Sequence, residues 1–304
     1  MEILDAHATA DRLSCDLLVE EIAGVMRDPV ARVPPRLVQT LAGGGSLFVM
    51  PAHDGNVAIT KLITFTPANL GTKTPTIQGD VVVFDVASGT RRLVLDGPTV
   101  TARRTAAVSL LAAKWLASNA TGPLLVVGAG TQGRAHLEAF ARGLGIREVL
   151  IHSRTEASAH VLALRAREIG LHARVISDPD SALAECPLVV TCTPASGVVL
   201  TAPPRDDAFI AAVGAFTPKM IELAPAFTQH VARHGRIVVD TRDADHEAGD
   251  LLQAGVDVTA LPALRDIDPA AARMRGPVLF KSCGWAGWDL AAARCALRAG
   301  VAAP

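Results

Sequence analysis

The chain has 304 residues, which suggests two domains at about 100–200 residues each. Half of the residues are hydrophobic and 19% are charged, so the chain can bury a core and disorder is not expected. The formal net charge is −1, and no block of like charge indicates a nucleic-acid-binding face. The longest uncharged runs, 115–133 and 186–204, contain Gly, Pro and Asn and predict buried strands and turns, not membrane spans.

Two absences narrow the possible chemistry. The sequence has no tyrosine, which excludes enzymes that use a Tyr general acid, including dehydrogenases built on a Tyr–Lys pair. The five cysteines form no C-x-x-C pair, which argues against a zinc site or a disulfide framework and fits a reducing cytoplasm. The N-terminal segment is charged throughout and does not resemble a signal peptide. We therefore expect a cytoplasmic protein without a metal.

The first hundred residues predict a sheet followed by a helix. Strands are predicted at 46–50, 57–64 and 81–86, and the turn at 88–90 predicts a hairpin with the next strand. The segment 66–80 has the composition of a loop. Apolar residues then recur at helical spacing from Thr101, the predicted N-cap.

A different pattern begins near Ser118. Apolar runs predict strands at 124–127, 149–154, 188–194, 208–216 and 236–240. Helical patterns lie between the first of these runs, so we predict an α/β fold with a parallel sheet and helices on both faces. The final stretch, 277–300, has one strand and one long helix, which we expect to return to the N-terminal domain.

The sequence GAGTQG, which begins at Gly128, is a G-x-G-x-x-G pattern between a predicted strand and a predicted helix. Gly128 would make the tight turn, Gly130 would let the backbone approach a pyrophosphate, and Gly133 would let the helix pack closely on the strand. Thr131 and Gln132 lie at the helix N-terminus, where free N–H groups and the helix dipole favour an anion. The motif predicts a Rossmann-type dinucleotide-binding domain. The alternative is a glycine-rich turn without a ligand.

The end of the next strand predicts which nicotinamide cofactor binds. An NAD site usually places Asp or Glu about 20 residues after the motif. This chain has Ser153, Arg154 and Thr155 there. Arg154 can pair with a 2′-phosphate, and the two hydroxyls can donate to its oxygens, so NADPH is predicted over NADH. The alternative is a solvated Arg154, with Glu156 binding the ribose.

Other residues are assigned to the cofactor site on weaker grounds. Thr193 lies at the end of one predicted strand and Gly214 near the end of the next, and ligands of open α/β sheets bind at the carboxyl ends of strands. Cofactor contact and plain turn packing remain open for both. Thr76 and Lys281 are assigned to the same site.

Successive motifs resemble the ornithine cyclodeaminase/mu-crystallin family. They are GGGSLFVMPA, AITK, TPAN, FDVASG, LDGPTVTARRTAAVSLLAA and GAGTQG, and the tail VLFKSCGWAGWDLAAA; the most specific piece is T-x-x-R-T-A-A, which begins at Thr101. The resemblance implies a nucleotide domain inserted into a mixed α+β substrate and dimerisation domain, and a homodimer. We place the substrate domain at 1–118, the nucleotide domain at 119–267, and the returning strand and helix at 268–304.

Three cations match the family's site for the substrate carboxylate: Arg36, Lys61 and Arg104. Arg binds a carboxylate through a bidentate fork, and Lys adds a point charge. Lys61 lies in an apolar strand, where an unpaired ammonium is costly, and Arg104 opens a helix, where the dipole disfavours a cation. Lys61 and Arg104 are our predicted catalytic residues. The alternatives are a structural ion pair for Lys61 and a solvated Arg36.

Two departures from the family's pattern favour imine reduction. The resemblance implies that cyclodeaminases carry a Glu just before M-P and an Asp after a later V-G, and Phe48 and Phe216 stand at these places. Two phenyl rings suit a cyclic imine and leave an ornithine amine without a counter-charge. The chain therefore resembles the family's reductases of Δ1-pyrroline-2-carboxylate and Δ1-piperideine-2-carboxylate. The imine nitrogen can carry its proton from solution, so a protein acid is not required; Lys61 and a bound water are the candidate proton donors. Alternatively, both Phe are core residues.

In the predicted reaction, a hydride from C4 of NADPH attacks C2 of the protonated C=N bond and forms proline or pipecolate. Three other functions stay open: an ornithine cyclodeaminase that recycles bound NAD, an alanine dehydrogenase, and a non-enzymatic binding protein of the mu-crystallin type. The histidines show no metal-ligand spacing, and the acidic cluster at 243–250 is interpreted as a solvated helix start over a metal site. No nucleic-acid or membrane partner is expected.

Overall fold

The computed structural model describes residues 1–194, 196–271 and 275–301. They form two compact units. Unit 1 comprises Met1–Arg104 and the C-terminal segment that begins at Trp285, and unit 2 comprises Thr105–Gly284. The sequence placed the boundaries at 118/119 and 267/268, so the structure divides the chain earlier at the first boundary and later at the second.

The described residues of unit 1 contain six strands, and those of unit 2 contain nine. The strands are β1 (Glu2–Leu4), β2 (Leu37–Thr40), β3 (Ser46–His53), β4 (Val57–Phe65), β5 (Ile77–Asp85), β6 (Arg91–Asp96), β7 (Leu124–Val127), β8 (Glu148–His152), β9 (His172–Val175), β10 (Leu188–Thr191), β11 (Ser196–Leu200), β12 (Phe209–Ala212), β13 (Ile221–Leu223), β14 (Arg236–Val239) and β15 (Val278–Lys281). The helices are α1 (Ala6–Arg12), α2 (Cys15–Arg27), α3 (Gly97–Leu116), α4 (Thr131–Leu144), α5 (Glu156–Glu168), α6 (Pro179–Ala182), α7 (Pro225–His234), α8 (Gly249–Leu252) and α9 (Ala286–Val301). None of these helices combines the length and the apolar character needed to cross a membrane.

Unit 1 is built on one six-stranded sheet in the order β1-β6-β5-β4-β3-β2. Neighbouring strands are antiparallel, except β1 and β6, which are parallel. Successive side chains of a strand point to opposite faces, and one face, with Met50, Ile59, Lys61 and Val81, is buried. Helix α9 packs against β3 and β4, and α2 packs against α9. A lysine thus lies among the apolar side chains of this face.

The strands and the hairpin predicted for unit 1 are confirmed, but two boundaries are wrong. Strand β5 begins at Ile77, inside the predicted loop, because this segment pairs with the end of β4. Helix α3 begins at Gly97 and is capped by Asp96, whose Oδ1 accepts a hydrogen bond from Thr99 N–H (2.8 Å). Thr101 is therefore not the N-cap. Arg104 lies about two turns into the helix, so the helix-dipole argument for it does not hold.

Unit 2 contains a seven-stranded sheet in the order β14-β15-β12-β10-β7-β8-β9. All neighbouring strands are parallel, and β7, β10, β12 and β15 are buried along their full length. The predicted α/β fold with a parallel sheet is therefore confirmed. The chain order reverses between β7 and β10, and open α/β sheets bind ligands at such a switch point.

The sequence predicted that β15 returns to the substrate domain, and this prediction is wrong. It lies between β12 and β14 in the sheet of unit 2, with Val278 opposite Phe209 and Arg236. All four of its residues are buried, and this position surrounds them with apolar strands and supplies hydrogen bonds on both sides. Only the following helix, α9, belongs to unit 1.

Candidate functional site

The three glycines of the motif have different surroundings. Gly128 follows β7 with φ +112°, which favours glycine, and a Cβ there would lie 2.7 Å from the carbonyl oxygen of Cys192. A Cβ on Gly133 would lie 2.0 Å from the carbonyl oxygen of Gly128. A Cβ on Gly130 would have no neighbour within 4 Å. Two glycines therefore allow the turn to close, and the third leaves open space beside it.

The helix that follows the turn has an N-terminus suited to an anion. Gly130 is the N-cap of α4, and no side chain caps the helix, so its first N–H groups are not satisfied by a cap. Thr131 is exposed and Gln132 is half-buried in the first turn. Uncapped N–H groups beside the open space at Gly130 fit the pyrophosphate of a dinucleotide.

The residues predicted to choose the cofactor form the turn between β8 and α5. Arg154 is exposed, and its side chain has no hydrogen-bond partner in the described parts of the chain. Ser153 is half-buried, and the Thr155 hydroxyl donates to Ser158 Oγ (2.7 Å). A guanidinium free of protein partners at the end of this strand fits a 2′-phosphate. Glu156, the alternative ribose ligand, begins α5.

Glu222 on β13 joins the loops that follow β10 and β12. Its Oε1 accepts hydrogen bonds from Thr193 N–H (2.7 Å) and Thr193 Oγ1–H (2.9 Å). Its Oε2 accepts from Gly214 N–H (2.7 Å) and Thr191 Oγ1–H (3.0 Å). Burial raises the pKa of Glu222, although Lys281 opposes this shift. The predicted cofactor residues Thr193 and Gly214 thus have structural partners, and their contact with a cofactor stays a prediction.

Lys281 does not have the surroundings expected of a cofactor ligand. Its side chain has no exposed surface, and its Nζ lies 2.7 Å from Asp250 Oδ2. The other oxygen of Asp250 accepts hydrogen bonds from the backbone N–H groups of Glu222 (2.6 Å) and Leu223 (2.9 Å). Lys281 is therefore a buried structural cation, because all of its charge is directed at an internal carboxylate, and we withdraw it from the cofactor site.

Two other predicted residues have surroundings that do not define a role. Thr76 is half-buried before β5, and its carbonyl oxygen accepts a hydrogen bond from Thr66 N–H (2.8 Å). Phe216 is half-buried and packs against the hydrophobic core of unit 2. This agrees with the alternative interpretation, in which Phe216 is a core residue. The cofactor contact of Thr76 and the substrate contact of Phe216 stay predictions.

Lys61 and Arg104 meet at one buried carboxylate in unit 1. Lys61 Nζ lies 3.2 Å from Asp289 Oδ1 and 3.5 Å from Oδ2, and Arg104 Nε lies 3.2 Å from the same Oδ1. Asp289 is wholly buried, and Lys61 and Arg104 are 1% and 5% exposed. The ion pair considered for Lys61 is present, with Arg104 as a second partner. The Nη atoms of Arg104 hydrogen-bond to none of the described residues.

Arg36 and Phe48 complete this cluster. The Arg36 guanidinium lies over the Phe48 ring, with Cζ 5.7 Å from the ring centroid, within cation–π range. Phe48 and Met50 share a sheet face, and Met50 is paired with Lys61 on the neighbouring strand. The sequence therefore identified three cations that the fold brings together, and Phe48 contacts one of them.

The charge of Lys61 is balanced between opposing neighbours. Burial lowers its pKa most, and the nearby Arg104 and Arg36 also lower it, so that the pKa lies at about 8. Asp289 raises it through charge and through its hydrogen bond. Lys61 is therefore mainly protonated at neutral pH, but its proton is far more easily lost than that of a solvated lysine.

Part of the acidic cluster after β14, Asp243 and Asp245, lies in a short 3-10 helix, Arg242–His246, capped by the side chain of Thr241. Asp250 lies in α8 and is buried, so the prediction of a solvated helix start is wrong for this residue. In the described ranges of the chain, no group of three or more His, Cys, Asp or Glu side chains is arranged to hold a metal ion.

Sequence reasoning missed the acids of the two units. Asp289 lies in the tail motif, but nothing in the spacing shows that it faces Lys61, 228 residues away. Glu222 and Asp250 are likewise distant in sequence from most of their partners. The cations could have indicated that such acids exist, because a lysine buried in an apolar strand requires a nearby carboxylate.

The fold and the glycine-rich turn define a dinucleotide-binding α/β protein whose other unit carries a cluster of buried cations. The chain belongs to the ornithine cyclodeaminase/mu-crystallin family, whose model matches residues 3–297. This confirms the family resemblance that the motifs indicated.

Individual relatives cover nearly the whole chain. Δ1-pyrroline-2-carboxylate reductase 2 of Burkholderia ambifaria is 37% identical over 296 residues, which are 96% of this chain and 94% of that protein. A Δ1-pyrroline-2-carboxylate/Δ1-piperideine-2-carboxylate reductase of Azospirillum brasilense is 36% identical over 97% of this chain and 94% of that protein. The structure of Thermococcus litoralis Δ1-pyrroline-2-carboxylate reductase, in complex with NADH and L-proline, matches with a TM-score of 0.89. It covers 99% of this chain and 98% of that chain at 22% identity, and this likeness shows the fold.

Two alanine substitutions in the motif should separate folding from nucleotide binding. Gly133→Ala should destabilise the protein by about 1–3 kcal/mol, because its Cβ would overlap a backbone oxygen. Gly130→Ala should unfold like the wild type but weaken dinucleotide binding at least tenfold, about 1.4 kcal/mol, because its Cβ would occupy the open space. Urea unfolding and fluorescence titration with NADPH measure the two effects. Wild-type affinity in Gly130→Ala would exclude a phosphate at this turn.

Proposed function

We propose that the chain reduces cyclic imino acids with NADPH, converting Δ1-pyrroline-2-carboxylate to proline and Δ1-piperideine-2-carboxylate to pipecolate. The observation that carries the proposal is the buried cluster in unit 1, where two cations, Lys61 and Arg104, share the one carboxylate of Asp289. The excess positive charge suits a small carboxylate. Of two relatives more than 35% identical over nearly the whole chain, one is named as a reductase of Δ1-pyrroline-2-carboxylate and the other as a reductase of both imino acids.

The cluster binds and orients the substrate through its positive charge and through the Nη atoms of Arg104. The Nη atoms of Arg104 can form a fork on the substrate carboxylate, and Lys61 adds a point charge. When bound, the reduced nicotinamide supplies a hydride from C4 to C2 of the C=N bond. Holding the carboxylate in one orientation can lower the barrier by about 7–11 kcal/mol, so positioning is the main contribution of Lys61 and Arg104.

The same cluster does not suit an acyclic diamine. Both oxygens of Asp289 face Lys61, and one of them also binds Arg104, so this acid is not available to an ornithine amine. Phe48 presents an aromatic ring where the family resemblance places a glutamate in cyclodeaminases. A ring-closed imine needs no counter-charge for a side-chain amine and can pack its methylenes on an apolar surface.

One assay with parallel substrates tests the proposal. The purified protein is given NADPH with the five-membered ketimine, with the six-membered ketimine, or with pyruvate and ammonia, and given ornithine with NAD in a fourth reaction. We expect NADPH oxidation with the ketimines and formation of proline or pipecolate. Proline from ornithine without net cofactor turnover would identify a cyclodeaminase, and preference for pyruvate would identify an alanine dehydrogenase. Nucleotide binding with no turnover would identify a binding protein.

We infer the preference for NADPH from Arg154. Arg154→Ser should lower the NADPH-over-NADH preference by about 1.5–3 kcal/mol, roughly 10- to 150-fold, because a charge-assisted bond to the 2′-phosphate is lost. The ratio of kcat/KM for the two cofactors measures this. Arg147→Ser, which removes another exposed arginine before the same strand, is the control and should keep the wild-type ratio. A wild-type enzyme that prefers NADH would contradict the assignment.

We further propose a homodimer formed through the outer face of the unit 1 sheet. Ile3, Leu37 and Leu62 lie on this face and are 71%, 57% and 46% exposed, and Val49, which pairs with Leu37 and Leu62, is only half-buried. Exposed apolar side chains on three strands of one sheet face are typical of a surface covered by a second copy. The five cysteines are all free thiols, which supports a reducing cytoplasm for the enzyme.

Sedimentation equilibrium tests the dimer. The wild type should sediment at twice the chain mass, and Leu62→Lys should sediment at the chain mass because a charge cannot be buried unpaired in an apolar interface. Leu164→Lys, at another exposed leucine, on α5, should remain dimeric. A monomeric wild type, or a dimer that tolerates Leu62→Lys, would contradict the proposed face.

A further inference from the structure

Asp289 is the central acid of the cation cluster, and neither the motifs nor the family resemblance assigned it a role. We propose that Asp289 is a positioning residue: by binding Lys61 Nζ and Arg104 Nε it fixes both cations and keeps Lys61 charged, so that both can hold a substrate carboxylate. The inference rests on the proposed function, because it concerns the same site.

The first support is the way in which the bonds are distributed. Both cations bind the same oxygen, Oδ1, at 3.2 Å, and Lys61 also approaches Oδ2 at 3.5 Å. Arg104 uses Nε for this bond, so its Nη1 and Nη2 edge hydrogen-bonds to none of the residues that the structure describes. Asp289 therefore anchors Arg104 and leaves a bidentate edge for a second carboxylate.

The second support is the electrostatic surroundings of Lys61. Arg104 faces it from α3, Arg36 from the segment before β2, and Asp289 from α9. Burial and the two arginines all disfavour the charged form of Lys61, and only Asp289 favours it. Without this carboxylate, three neighbouring cations would lie together with one of them wholly buried, and Lys61 would release its proton.

The structural alternative is an ion pair that only holds α9 on the sheet. That role predicts lower stability, or equally reduced activity at every pH, when the carboxylate is changed. The positioning role predicts a change in the pH at which Lys61 loses its charge. The two roles therefore differ in the pH dependence of substrate binding.

The first experiment compares pH profiles of kcat and KM for the cyclic imino acid in the wild type and in Asp289→Asn. KM should rise on the alkaline side as Lys61 loses its proton, and in Asp289→Asn this rise should move about one pH unit or more toward acid. The titration of the substrate imine is common to both proteins. Asp289→Glu keeps the charge and should keep the rise near the wild-type pH.

Asp54→Asn is the matched control. Asp54 is also a buried carboxylate of unit 1, 4% exposed, and its Oδ2 accepts a hydrogen bond from Arg294 Nε (2.6 Å). Asp54→Asn should change stability without moving the rise in KM. An unmoved rise in Asp289→Asn, or an equal shift in Asp289→Glu or Asp54→Asn, would overturn the inference.

A second experiment needs no turnover. The folded-state pKa of Lys61 is about 8, below its unfolded value of 10.5, so the unfolded chain binds more protons between these values. The free energy of unfolding therefore gains a positive slope with pH across this window. In Asp289→Asn the positive slope should begin at lower pH, because the pKa of Lys61 falls further. In Lys61→Met the part of the slope that comes from Lys61 should be absent. If Asp289→Asn does not fold, Asp289→Glu and Lys61→Met still test whether Lys61 titrates near pH 8.

Urea unfolding at a series of pH values measures this slope. If the wild type reduces no imino acid but its free energy of unfolding shows the predicted slopes with pH, the proposed function is contradicted. The effect of Asp289 on the charge of Lys61 is then still supported. Identical slopes in the wild type, Asp289→Asn and Lys61→Met would overturn the role of Asp289, whatever the substrate.

Discussion

One buried carboxylate makes the charged part of unit 1 possible. A lysine on the apolar face of a sheet, with an arginine beside it, would be too costly to bury alone, and Asp289 offsets that cost for both. Because the one negative charge of Asp289 is shared by Lys61 and Arg104, this contact carries an excess of positive charge. The stability of the unit and the carboxylate binding that we propose for it thus depend on the same three-residue contact.

Unit 2 uses a buried acid for a different purpose. Glu222 binds the N–H groups of Thr193 and Gly214 and so holds two loops at the carboxyl ends of neighbouring strands. A side chain at Gly214 would overlap this carboxylate, because a Cβ there would lie 2.4 Å from its Oε1. The glycine-rich turn at Gly128 lies at the end of another strand of the same sheet. The glycines and Glu222 thus fix the backbone of the loops at the carboxyl ends of these strands, where a ligand of this kind of sheet binds.

The proposed chemistry depends on how the charges of unit 1 are already paired. Phe48 contacts the guanidinium of Arg36, and Asp289 is bound by Lys61 and Arg104. The substrate that we propose brings one carboxylate and an apolar ring, and it does not need Asp289 as the partner of a second amine. Ring closure of the substrate therefore replaces a carboxylate that the enzyme would otherwise need.

The sequence by itself determined the parallel sheet, the nucleotide turn at Gly128 and the cations Lys61 and Arg104. Strand periodicity, glycine spacing and the cost of a lysine in an apolar run are local signals, and each can be recognised within a few residues. Only the tertiary structure decided that Asp289 neutralises these cations and that β15 completes the sheet of unit 2. Only the structure showed that Lys281 pairs with Asp250. These outcomes depend on contacts between residues far apart in the chain. The sequence shows that a residue is charged, but it does not show which distant residue will pair with it in the folded protein.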